Sequence, residues 1–147
     1  MQRTQHQPSR KRSGSAIVET AFMLPILLGV TFGVVEFGRA LMVSNLITNA
    51  AREGARLGIV KDTTTAEVKE AVVDQIQKTV GTTIPTSSVT VTVTPYSNNP
   101  DPNNETANAM TRDLVDIEVK VPYNDVGYFF RYLANVDLKG QAAMRHE

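Results

Sequence analysis

The sequence predicts an α+β protein. A long N-terminal helix, transmembrane in its first half and amphipathic in its second, precedes a small domain of one helix and an antiparallel sheet of about three strands. Three observations carry this. Residues 15–35 hold twenty-one positions with a single charge, Glu19. Apolar residues then recur at helical spacing to about residue 58. Beyond that, "SSVTVTVTP" and "LVDIEVKVP" alternate apolar and polar residues with the period of two that belongs to half-buried strands.

The chain has 147 residues, enough for one small domain with an appendage. It lacks cysteine, which removes disulfide frameworks and thiolate metal sites. The net charge is zero, but Arg3, Arg10, Lys11 and Arg12 all precede the first acid. Without residues 1–14 the chain keeps eleven basic and fifteen acidic residues, a net charge of −4. A mildly acidic body offers no basic face to nucleic acid.

The N-terminal helix is expected over residues 15–58. A helix of twenty-one residues reaches ~30 Å, the thickness of a bilayer core. Four cations ahead of the apolar run and an acidic body behind it place the N-terminus in the cytoplasm and the remainder outside. A cleaved secretory signal would need a small-x-small site near residues 33–39, and "GVVEFGR" fits poorly. The periodicity also continues through Met42, Leu46, Ala50 and Leu57, with Val43, Ile47 and Ala51 beside them. Pro25 frees the carbonyl of Ala21 and favours a kink. Gly29 with Gly33, and Gly54 with Gly58, are GxxxG pairs that permit close helix packing. The resulting divisions are a basic leader (1–14), a membrane helix (15–38), its extracytoplasmic continuation (39–60) and the small domain (61–147).

Within that domain, Thr64 and Glu67 form a capping-box pattern. Val68, Val72, Ile76 and Val80 make an apolar stripe, and Gly81 is a natural stop. The first strand turns Val89, Val91 and Val93 inward. The second does so with Val115, Ile117, Val119 and Val121. A third, in "NVDLKGQAAMR", places Val136, Leu138, Ala142 and Met144 on one face. Residues 95–110, rich in Asn and Pro, read as a surface loop. Asp101, Asn103 and Glu105 there suit Asx-type turns better than a Ca²⁺ site, since no EF-hand spacing is present. "VGYFFRYL", residues 126–133, holds four of the nine aromatics and reads as a buried connection, or as a contact with a membrane interface or partner.

No catalytic constellation emerges. His6 lies in the leader and His146 beside the last residue, neither next to a nucleophile. Asp116 and Glu118 occupy the polar face of a strand, and no glycine-rich phosphate loop is present. The expectation is a non-enzymatic protein without cofactor, metal, small-molecule substrate or nucleic-acid partner.

Glu19 is the anomaly, because an ionised carboxylate in hydrocarbon costs several kcal/mol unless paired or near the interface. A basic leader, Gly14, the small Ser15 and Ala16, an acid five residues after the glycine, and then an apolar run together resemble type IV prepilin processing sites. Residues 14–60, with "AIVE" ending at Glu19, Leu24-Pro25, "VEFGR" at 35–39 and "NAAREGAR" at 49–56, resemble the TadE/TadG-like pseudopilins of tight-adherence (Flp) pilus systems. One position departs from the usual pattern: Thr20 stands where Phe or Tyr commonly follows the acid.

The resemblance implies a pilin-like fold and cleavage between Gly14 and Ser15 by a prepilin peptidase. It further implies that Glu19 pairs with the new N-terminal amine of a neighbouring subunit, and that Pro25, Gly29 and Gly33 lie on the packing helix. The protein would be a minor structural subunit of the bacterial inner membrane. Its partners would be other pilins or pseudopilins, pilus-assembly membrane proteins, the peptidase and the lipid bilayer. The competing reading is an unprocessed, single-pass tether that carries a binding module of the same apparatus.

Overall fold

A computed structural model describes residues 13–127 and 136–147. The element order is α1 (Ser13–Gly58), α2 (Thr65–Val80), β1 (Val89–Thr94), β2 (Leu114–Pro122) and β3 (Asp137–Arg145), with short 3₁₀ turns at Thr86–Ser88, Thr106–Asn108 and Tyr123–Asp125. The predicted α+β architecture is therefore the observed one. The chain divides inside α1 into two compact units, Met1–Val35 and Glu36–Glu147.

The described part of the first unit is helix throughout, and Pro25 lies inside it. Its apolar side chains are uncovered: Phe22 is 75% exposed and Ile26 and Leu27 are each 65% exposed. The two threonine hydroxyls of this stretch are satisfied within the helix. Thr20 Oγ1 donates to the Ala16 carbonyl and Thr31 Oγ1 to that of Leu27, each at 2.8 Å. Back-bonding of this kind removes the penalty for placing a hydroxyl in an apolar medium.

The second unit is built on a three-stranded antiparallel sheet of order β1-β2-β3. Val91 pairs with Ile117, and Ile117 with Ala142. Alternation places Val89, Val91 and Val93 with Val115, Ile117, Val119 and Val121 on the buried face, as the sequence predicts. Val68, Val72 and Ile76 of α2 are fully covered and join that core. The capping box forms: Thr64 accepts from the Glu67 N–H, and Glu67 accepts from the Thr64 N–H at 2.8 Å. Gly81 ends α2 in the left-handed conformation, φ 81°.

The buried face of α1 is the expected one at Val43, Ile47, Ala50 and Ala51, but it extends to Ala55 and turns away from Met42, with Leu46 and Leu57 half-buried. Val43, Ile47, Ala50, Ala51 and Ala55 are buried, whereas Met42 is 58% exposed. Small residues win because they let the backbone approach. A Cβ on Gly54 would stand 2.3 Å from Val72 Cγ2, and one on Gly58 3.1 Å from Val115 Cγ1. The second GxxxG pair therefore serves packing inside the domain. Gly140 on β3 has the same role, since its Cβ would meet the Thr48 nitrogen at 2.7 Å and the Ile47 carbonyl carbon at 2.8 Å. In the third strand Val136 falls just before β3 and is 45% exposed.

Candidate functional site: the N-terminal helix and its anchorage

Gly14, Ser15 and Glu19 lie in the first turns of α1, all exposed. The helix already begins at Ser13, so Glu19 falls in the second turn rather than at the N-terminus proper. Ser15 and Glu19 are four residues apart and share one helix face. Among the described residues Glu19 enters no ion pair. Farther along, Pro25 is helical, and at Gly29 and Gly33 an added Cβ would meet nothing within 4 Å beyond the helix's own adjacent backbone. These residues thus form an uncovered apolar rod with one acid near its start. The cationic leader, with Arg3, Arg10, Lys11, Arg12 and His6, lies outside the described residues.

Where the folded unit begins, "VEFGR" acquires a structural role that its spacing does not reveal. Glu36 is 5% exposed, a buried carboxylate. Tyr123, itself 1% exposed in the turn after β2, donates its hydroxyl to Glu36 Oε1 at 2.6 Å and lies 3.3 Å from the Glu36 carbonyl oxygen. One turn on, Arg39 Nε donates to the Val126 carbonyl at 2.6 Å. Gly127 closes the cluster, because a Cβ there would stand 2.7 Å from the Tyr123 ring and 2.9 Å from Glu36 Oε1. Burial, the hydrogen bond to Glu36 and the negative charge of Glu36 push the Tyr123 phenol up to about 12, against a smaller opposing effect of Arg39. The phenol is accordingly a donor at all physiological pH. Two residues of α1 are thereby fixed to the segment 123–127, some 87 positions away in sequence. Of the aromatic stretch 126–133, Val126 is buried, and residues 128–133 lie outside the described residues.

A second polar centre orders the loop between β1 and β2. Asp113, fully buried, accepts from the Tyr96 N–H (2.8 Å) and Asn99 Nδ2 (2.6 Å) through Oδ1, and from the Met110 N–H (2.7 Å) through Oδ2. Burial alone would raise its carboxyl. These three donors, with a contribution from His146, outweigh burial and hold it below the usual carboxylate range. Of the oxygens considered for a cation, those of Asp101 and Glu105 are engaged by the chain, as is that of the neighbouring Asn104. Asp101 accepts from the Asn103 N–H (2.9 Å) in an Asx turn, Asn104 from the Val93 N–H (3.1 Å), and Glu105 from the Thr65 N–H (2.6 Å).

An exposed apolar helix of spanning length, continuous with an α+β unit, defines a candidate membrane-anchored protein; α1 is long and apolar enough to cross a bilayer. Residues 14–56 match a family model described as TadE-like protein, which bears out the TadE/TadG-like resemblance over that stretch. The match begins at Gly14 and includes Glu19, Pro25, Gly29, Gly33, Glu36 and Arg39. No curated protein and no solved structure matches the chain.

Proposed function

We propose that this protein is a minor pilin-like structural subunit of a tight-adherence (Flp) pilus, held in the bacterial inner membrane by α1 and processed between Gly14 and Ser15 by a prepilin peptidase. The observation that carries the reading is the TadE-like match over residues 14–56, which falls on a helix whose apolar surface is largely uncovered up to Val35. In this account residues 1–14 are the leader, 15–38 cross the membrane with the N-terminus cytoplasmic, 39–60 continue the helix outside, and 61–147 form the bulk of the extracytoplasmic domain. Glu19 supplies the charge that meets the freed amine of Ser15 in a neighbouring subunit, so that neither charge is buried alone. Gly29 and Gly33 supply the packing surface for other pilins or assembly proteins. The role is structural rather than catalytic, in keeping with a structural, pilus-associated family.

Glu19→Gln tests this directly. The expected result is a variant that still inserts in the membrane and still loses its leader, but no longer supports pilus assembly. Normal piliation by Glu19→Gln would remove the assembly role of the acid.

A further inference from the structure

The sheet has two edges, and the chain treats them differently. On the outer edge of β1, the Val93 N–H is taken by Asn104 Oδ1, and the β1–β2 loop turns over that side. The outer edge of β3 is paired by no strand among the described residues, although β3 runs nine residues without proline and in unbroken register with β2. Its inward row, Leu138, Ala142 and Met144, is only half-buried, while the corresponding row of β1 is buried. A fourth strand at this edge would finish covering that row.

The sequence of β3, "DLKGQAAMR", states which strand fits. Laid antiparallel on itself about Gln141, it sets Asp137 opposite Arg145 of the second copy, and Arg145 opposite Asp137, on the exposed face. On the inner face it sets Leu138 opposite Met144 twice, with the small Gly140 and Ala142 between. No two like charges are directly opposed, and among the described residues neither Asp137 nor Arg145 is in an ion pair. Opposite charges and apolar pairs at directly facing positions are the units of sheet stabilisation. A two-fold arrangement uses each of them twice.

We propose that β3 is a homotypic docking edge, pairing antiparallel with β3 of a second copy about Gln141 to make a continuous six-stranded sheet. The pairing uses residues 137–145 alone and stands whether or not the leader is removed.

The absence of native cysteine makes the test clean. Gln141→Cys in the full-length chain, oxidised mildly in isolated membranes, is expected to give a disulfide dimer, since facing Cβ atoms lie ~5 Å apart. Glu118→Cys, its neighbour on β2, would be ~14 Å from its counterpart at ~4.8 Å per strand and should give none. Co-expressed Lys139→Cys and Ala143→Cys chains should form the mixed dimer, and Lys139→Cys alone should not. In the Gln141→Cys background, Asp137→Arg should lower the dimer roughly tenfold by opposing two arginine pairs, and the double variant Asp137→Arg/Arg145→Asp should restore it. The proposal is overturned if Gln141→Cys dimerises no more than Glu118→Cys, if it links only to a chain of different mass, or if the double reversal fails to restore the dimer.

Discussion

Replacing Tyr123 by Phe keeps the ring that fills the space against Gly127 and deletes only the hydroxyl that donates to Glu36 Oε1 at 2.6 Å. A hydrogen bond to a charged acceptor contributes about 1.5–3 kcal/mol, and loss of a donor to a buried carboxylate falls at or above that range. Glu36 keeps further interactions, which holds the expected loss to about 2 kcal/mol. For a folded unit of this size that corresponds to a fall in Tm of about 6–10 °C. The assay is thermal unfolding of the detergent-solubilised full-length protein, followed by circular dichroism. Glu36→Gln and the double variant complete a cycle, and a coupling energy of about 1 kcal/mol or more is expected for residues in one hydrogen-bond pair. A Tyr123→Phe variant within 0.5 kcal/mol of the parent, or additive single effects, would refute the idea that this pair anchors α1 to the segment after β2.

Other outcomes follow from the same geometry. The Tyr123 phenol, held at about 12, should be missing from the absorbance titration step near pH 10, and the step it does give should vanish in Tyr123→Phe; because its folded value lies above the unfolded one, its contribution to stability is full below about pH 10 and is lost as pH rises toward 12. Asp113→Asn turns an amide N–H toward backbone and Asn99 donors, and should destabilise by about 2–3 kcal/mol at pH 7 by chemical denaturation. The folded Asp113 value is depressed, so its contribution is present above the ordinary carboxylate value of ~3.9 and is lost as pH falls through the folded one; the gap between parent and variant should therefore close only below about pH 4. Gly140→Ala forces a methyl against the backbone at Ile47 and Thr48, where no side chain can swing aside, and should cost at least 2 kcal/mol, whereas Ala143→Ser on the open face of the same strand should fall within 0.5 kcal/mol.

Local rules made most of the fold legible. The three strands follow from period-two alternation, and α2 from its stripe, capping box and terminal glycine, because each signal lies within a few residues of its effect. The buried face of α1 was less legible. Helical periodicity marks Val43, Ile47, Ala50 and Ala51 correctly, but it also favours Met42, which is exposed, and it passes over Ala55, which the close approach of Gly54 and Gly58 to α2 and the sheet turns inward. The Glu36–Tyr123 pair joins positions 87 apart, and no spacing rule connects them. The available signal was chemical: an acid at the end of an apolar run must find a partner if the fold covers it. Asp113 is illegible in the sequence for a similar reason, since its donors come from a loop whose path the sequence does not fix. Gly14, Ser15 and Glu19 were legible as a motif because the leader, glycine, acid and apolar run lie in consecutive order.

In the proposed function the chain is processed as a pilin-like subunit while its anchor stays in place. N-terminal sequencing of the membrane-extracted protein, from cells with and without the prepilin peptidase, tests it most directly. The account predicts a chain that begins at Ser15 only when the peptidase is present. A chain that retains Arg10 to Gly14 in both strains would contradict it and leave Glu19 as an interfacial acid on an unprocessed tether.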